Sequence, residues 1–203
     1  MIKINLKDIA KRLPHVYDWQ HSLLKKLPAF LFVGNFCVAG GAVRSLLEGK
    51  KDIDGDIDIY TFSQQDKKEL TTALISSGYK EVSHTEWSRT FNGHGTDVQI
   101  MEQIYVDEND VIQSFDFTVT QGAYNPDKDE FTFGFWTFSD VNTKTLTINK
   151  LKHSDKVLGR LVKYCNYGYE PTHDTLTQIH EFIRLSPSTK VSPYYRRGRK
   201  YLY

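Results

Sequence analysis

Apolar positions along this chain recur at two periods, and the switches between them mark the elements. Residues 7 to 27 repeat at helical spacing, broken near Pro14, since proline cannot continue a helix interior. The run FLFVGNFCVAGG is apolar, β-branched and aromatic and ends in two glycines. It predicts a buried strand around 35–39 followed by a tight turn. AVRSLLEG predicts a short helix stopped at Gly49, and DIDIYTF predicts the next strand. Ser63 with Asp66, then Gly78, bracket a helix over SQQDKKELTTALISSG. Residues 79 to 148 read as strand-rich, with segments YKEVSHTEWSRTF, TDVQIMEQI, IQSFDFTVTQGAY, EFTFGFWTF and TLTI. SDKVLGRLVKYCNYG is helical again, with Val157, Leu158, Leu161, Val162 and Cys165 as its apolar stripe. THDTLTQIHEFIRL predicts a last helix ending before Pro187.

This order gives an α+β fold, a mixed or antiparallel sheet with helices mainly on one face. The organisation expected is an N-terminal helical segment over 1–30, a core over 31–150, two C-terminal helices packed on it over 151–186, and a tail over 187–203. Aromatics make up 13% of the chain, enough for a real core, and Trp87 and Trp136 are read as part of it. A net charge of +1 leaves no global field for a nucleic acid or a membrane, so only local patches could serve. No apolar run nears the roughly 20 residues of a membrane span. The charged N-terminus does not read as a secretory signal. Cys37 and Cys165 lie in apolar stretches without metal-type spacing, which fits a reducing cytoplasm. His173 and His180 lack the roughly three-to-five spacing of a zinc pair and read as surface residues.

The stretch DIDGDIDIY concentrates the candidate chemistry. In a strand, residues two apart share a face, so Asp56 and Asp58 present two carboxylates side by side while Ile57 and Ile59 enter the core. Like charges this close call for a cation, and Mg²⁺ takes one or two carboxylates plus substrate phosphates. Asp52 and Asp54 read as loop charges, with Asp54 as an outer helper. Gly40 and Gly41 sit between strand and helix, where the backbone can approach an anion, and Arg44 lies one turn further on. Taken alone, these glycines also fit an ordinary strand-to-helix turn. Asp116 is a single carboxylate among aromatics, to be paired or used, with a solvent-facing strand position as the plainer reading. Arg160, Lys163 or Tyr164, and Tyr167 recur on one flank of the next helix. They suit either a triphosphate and a base or a solvated face.

VAGGAVRSLLEG followed by DIDIY resembles the head domain of the polymerase-β-like nucleotidyltransferase superfamily. The resemblance is to the branch of class II CCA-adding enzymes and bacterial poly(A) polymerases. SFDFTVTQGAY is similar to that branch's later Arg-Arg-Asp-Phe-Thr stretch at Asp116, Phe117, Thr118 and Val119. The resemblance implies that Gly40, Gly41 and Arg44 hold the triphosphate of an NTP. It implies that Asp56 and Asp58, with Asp116 as a third acid or a neighbour, bind two Mg²⁺ ions, Mn²⁺ being an alternative. Arg160, Lys163 and Tyr164 would add nucleotide contacts. The implied reaction transfers an NMP to a hydroxyl acceptor on RNA, a protein or a small molecule, with release of pyrophosphate.

The departures are specific. Ser45 stands where the family has Asp, and Ser114 and Phe115 replace its two arginines. Only about 35 residues follow the helix near 155–167, so the family's long helical body is not expected, nor is self-sufficient CCA addition. The alternative is therefore a non-catalytic module that keeps the fold and binds nucleotide or RNA. In the tail, Arg196, Arg197, Arg199 and Lys200 interleave with tyrosines, which suits RNA contact or docking on this or a neighbouring subunit.

Overall fold

The computed structural model describes residues 1–27, 34–53 and 55–186. Asp54, the residues at 28–33 and the tail from 187 lie outside the described residues.

An unforeseen first strand, β1 (Ile2–Asn5), leads into the single turn α1 (Leu6–Ile9) and then α2 (Val16–Lys26), with the expected break around Pro14. The buried strand β2 (Phe36–Ala39), the helix α3 (Gly41–Leu47) and β3 (Ile57–Thr61) follow as the pattern predicted. α4 (Gln64–Ser76) begins at its N-cap Ser63, whose hydroxyl accepts from the Asp66 amide. β4 (Lys80–His84), β5 (Ser88–Gly93) and β6 (Thr96–Met101) form an antiparallel meander. α5 (Glu108–Gln113), β7 (Gly122–Asn125), β8 (Glu130–Phe133), α6 (Thr137–Thr143) and the short β9 (Thr145–Leu146) complete the central part. α7 (Ser154–Asn166), β10 (Glu170–Pro171) and α8 (His173–Leu185) close the described chain.

Eight strands make one mixed sheet in the order β1-β8-β7-β2-β3-β6-β5-β4. Every pairing is antiparallel except β3 with β6. A parallel pair needs a crossover, which α4 and the β4–β5 hairpin supply. Alternate residues of β2 divide between two cores. Phe36 and Val38 join α1–α4 on one face, while Cys37 and Ala39 meet Val111 and Ile112 of α5 on the other. A third cluster ties Phe117, Val119 and Leu146 to Val157 of α7 and Ile179 of α8.

Two sequence expectations are corrected. Of IQSFDFTVTQGAY only residues 122–124 are strand, as the start of β7. Asp107 caps α5 by accepting from the Asp110 amide at 2.9 Å, the chain bends, and Thr118–Thr120 forms a 3-10 turn before β7. Its apolar alternation arises because the chain passes between cores: Ile112 lies in the second cluster, and Phe117 and Val119 in the third. The solvent-facing strand position read for Asp116 is not found: the residue is buried and precedes the 3-10 turn. EFTFGFWTF likewise splits into β8 and the start of α6.

The apolar stripe of α7 is also rotated from its expected position. Val157, Leu161 and Tyr164 make the contacts with the third core, whereas Leu158 and Val162 are exposed at 47% and 58%. Cys165 is exposed, while Cys37 is buried. Trp87 and Trp136 are not core either: both are about half exposed, the first just before β5 and the second at the start of α6. No helix among the described residues is long and apolar enough to cross a membrane.

Candidate active site

The C-terminal end of β2 and the N-terminal end of β3 meet in the middle of the sheet, at one end of its strands. Ala39 is the register partner of Asp58, and Gly40 turns the chain into α3. The turn requires glycine. Gly40 has φ +72°, and a Cβ there would lie 3.5 Å from the Phe115 ring and 3.8 Å from the Asp58 carboxylate. Gly41 differs: its φ is ordinary and a Cβ would meet nothing within 4 Å, so the space above it is open. α2 fixes α3 from behind, through the Trp19 indole donating to the Ala42 carbonyl at 3.0 Å and the His15 ring at 2.9 Å from the Leu46 carbonyl. Ser45, at the position of the family's aspartate, is buried and donates to the Ala42 carbonyl at 2.6 Å.

The nine candidate residues line one cleft of about 410 Å³: Gly40, Gly41, Arg44, Asp56, Asp58, Asp116, Arg160, Lys163 and Tyr164. Asp58 is half-buried within β3, and Asp56 precedes the strand and is exposed. Burial pushes the Asp58 carboxyl up to about 7, and the charge of Asp56 adds to the shift. Lys163 and Arg160 oppose it. The surroundings of Asp58 therefore do not fully offset the charge of its ionised form, which lies beside a second hard oxygen donor. That donor set fits a divalent cation of the Mg²⁺ type.

Asp116, Arg160 and Arg44 are already engaged. Asp116 is buried and ion-paired to Arg160, and its backbone carbonyl accepts from the amides of Asn149 and Lys150 at 2.7 and 3.2 Å. Among the described residues no group of three or more His, Cys, Asp or Glu is arranged to hold a metal ion. The arrangement thus offers two acids with open coordination and a third bound to a guanidinium. Arg44 lines the cleft, but its guanidinium contacts Glu48 at 2.5 Å and lies over the Tyr167 ring at 4.7 Å. Its Nε is buried without a hydrogen-bond partner. Burial alone would raise the Glu48 carboxyl. Hydrogen bonds from Lys144 at 2.6 Å and the Tyr169 hydroxyl at 2.8 Å, with the Arg44 charge, hold it below the usual range. Lys163 is exposed. Tyr164 packs against Phe117 at 5.5 Å between ring centroids, and burial pushes its hydroxyl up to about 12.

Sequence reasoning missed Gln99, Trp87 and Lys156, which also line the cleft. Gln99 pairs in register with Asp58 across β3 and β6 and donates to the Asp56 carboxylate at 2.8 Å. An amide in the amphipathic stretch TDVQIM gives no signal of its own, and only the parallel pairing reveals its neighbour.

Solved structures share this fold. A CCA-adding enzyme in complex with ATP superposes with a TM-score of 0.61 at 17% identity, covering 91% of this chain and 47% of that one. The corresponding complex with CTP gives 0.61 at 16% identity with the same coverage. The Thermotoga maritima CCA-adding enzyme complexed with tRNA gives 0.57 at 14%, covering 91% and 46%. The chain thus spans under half the length of these enzymes. It has the nucleotidyltransferase fold that the resemblance implied. A search of curated proteins by sequence finds no match. The sequence profile of the Gabija anti-defense 2 family matches residues 14–144, more than half of the chain. The chain belongs to the Gabija anti-defense 2 family.

Proposed function

We propose that the cleft binds an NTP and transfers its nucleotidyl group to a hydroxyl acceptor, releasing pyrophosphate. The observation that carries this reading is the Asp56/Asp58 pair in one cleft with the open backbone of Gly41 and the basic groups of Arg160 and Lys163. Asp56 and Asp58 would hold Mg²⁺, which when bound supplies charge neutralisation at the reacting phosphate. Gln99 fixes the orientation of Asp56. Gly41 leaves room for phosphate oxygens close to the main chain. Lys163 and Arg160, whose charges reach Asp58, would stabilise negative charge developing on the transferred group. The Phe115 ring and the Asp58 carboxylate both lie beside the Gly40 turn.

The family description names an anti-defense role directed at Gabija. Nucleotidyl transfer from this cleft is the chemistry we propose for that role. The engaged states of Arg44 and Asp116 favour one other reading, capture of a nucleotide without transfer. The two separate in one experiment. The protein is incubated with Mg²⁺, each α-labelled NTP and cellular RNA or protein, beside the Asp56→Asn/Asp58→Asn variant. Label transfer abolished by the double substitution supports the transferase. Tight Mg²⁺-dependent NTP binding without transfer supports capture, and transfer undiminished in the variant overturns the assignment of the acid pair.

A further inference from the structure

The cleft is the middle member of a trough. On one side it opens into a cavity of about 580 Å³ that it joins through Gly41, Arg44, Asp56 and Lys163 and that adds Lys144. On the other side it opens into a second cavity of about 580 Å³, which it joins through Tyr60, Trp87, Met101, Phe115, Asp116, Lys156 and Arg160. The two outer cavities share no lining residue. Along the trough the lining changes from Arg44, Lys144 and Lys163, through the acid pair, to a cavity where the rings of Tyr60, Trp87, Tyr105 and Phe115 stand among charged side chains. A nucleotide changes in the same order, from phosphates through the reacting phosphorus to the base.

We propose that the aromatic cavity is a nucleobase site. Its wall is rigid: the Tyr60 ring meets Tyr105 and Phe115 edge-on at centroid distances of 5.4 and 5.7 Å. Its platform is Trp87, 49% exposed and held in place before any ligand arrives. The Trp87 carbonyl accepts from the Glu102 amide at 2.9 Å, and its amide donates to Thr85 Oγ1 at 3.2 Å. His153 meets the indole edge-on at 5.1 Å, and the Lys156 ammonium lies 4.4 Å from the ring centroid. A large aromatic surface already ordered by a cation and an imidazole loses little freedom on stacking. Neither Asp56 nor Asp58 reaches this cavity, and neither glycine of the α3 turn does, so it lacks the acid pair and open backbone proposed for the triphosphate, although Lys152, Lys156 and Arg160 line it beside the rings. Its size lies within the range of small-molecule sites, about 300–1,000 Å³. The base would come from the incoming NTP or from the end of a nucleic-acid acceptor.

This inference rests on the proposed nucleotide chemistry, but its test does not need turnover. Saturation-transfer NMR would be recorded on the full chain with each of the four ribonucleosides, without phosphate or Mg²⁺. N-acetyltyrosinamide serves as the comparison ligand. At least one nucleoside is expected to bind with saturation strongest on its base protons. Affinity should fall about tenfold in Trp87→Leu, be largely retained in Trp87→Phe, and be unchanged in Asp56→Asn/Asp58→Asn. Absence of nucleoside binding, equal binding in Trp87→Leu, or preference for the tyrosine compound overturns the inference. Loss of transfer with nucleoside binding intact would instead count only against the transferase reading. If transfer occurs, a Trp87→Leu defect in KM for the NTP assigns the site to the incoming base. A defect confined to an oligonucleotide acceptor assigns it to the acceptor.

Discussion

The Arg160 guanidinium closes on the carboxylate of Asp116, so a buried acid and a half-exposed cation neutralise one another at the edge of the cleft. Removing one partner leaves the other at fault. Arg160→Ala should destabilise the fold by about 1–3 kcal/mol, below the cost of breaking a fully buried pair because the arginine end is 43% exposed. Adding Asp116→Asn should restore most of that loss. Urea unfolding of the two single variants and the double variant measures the coupling, and strictly additive losses would count against it.

The two glycines of the α3 turn should respond oppositely. Gly40→Ala forces a residue with a Cβ to φ +72°, costing about 1–2 kcal/mol in thermal or chemical unfolding. Gly41→Ala has open space and ordinary backbone, so stability should change by less than about 0.5 kcal/mol. The same methyl group intrudes where phosphate oxygens are proposed to lie. NTP affinity measured by calorimetry should therefore fall at least severalfold in Gly41→Ala.

Asp58 makes stability fall as pH rises. Its carboxyl keeps a proton up to about 7 in the folded protein but only to an ordinary 3.8 in the unfolded chain, chiefly because of burial and then the charge of Asp56. Between those values the folded state binds more protons, so its stability declines with increasing pH. Asp58→Asn removes the dependence. In chelator-treated protein its Tm should exceed that of the parent at pH 8, and the gap should narrow as pH drops toward 4. A gap that widens toward acid would contradict this sign.

Glu48 gathers Arg44, Lys144 and the Tyr169 hydroxyl around one carboxylate. Glu48→Ala leaves Arg44 buried and uncompensated, and about 3–5 kcal/mol should be lost in urea unfolding. Lys144→Ala should cost much less, since its side chain is 43% exposed.

Local signals were the legible ones. The Ser63 cap and the β2 run each act within a few residues, and the structure forms them as expected, whereas β3 begins at Ile57 and takes in Asp58 but not Asp56. The segment around Asp116 misled because three apolar residues bound for different cores imitate a pleat. Arg44 looked free for an anion, although Glu48 stands one turn away on the same helix face. Trp87 was read as core, since tryptophan is usually well buried. Its exposure and its contacts with His153 and Lys156 follow from α7 arriving more than sixty residues later, which no local pattern encodes.

The parallel β3–β6 pair has a kinetic consequence. Gln99 reaches Asp56 across 43 residues of chain, only after α4 and the hairpin have closed the crossover. Closing such a loop costs entropy before any contact repays it, so the acid pair acquires its neighbour late in folding. A nascent chain that has made β2, α3 and β3 but not β6 would carry Asp58 on a strand with one edge unpaired, and Asp56 just before it. Pulse-labelled amide exchange should accordingly show β3 gaining protection together with β6 rather than with β2.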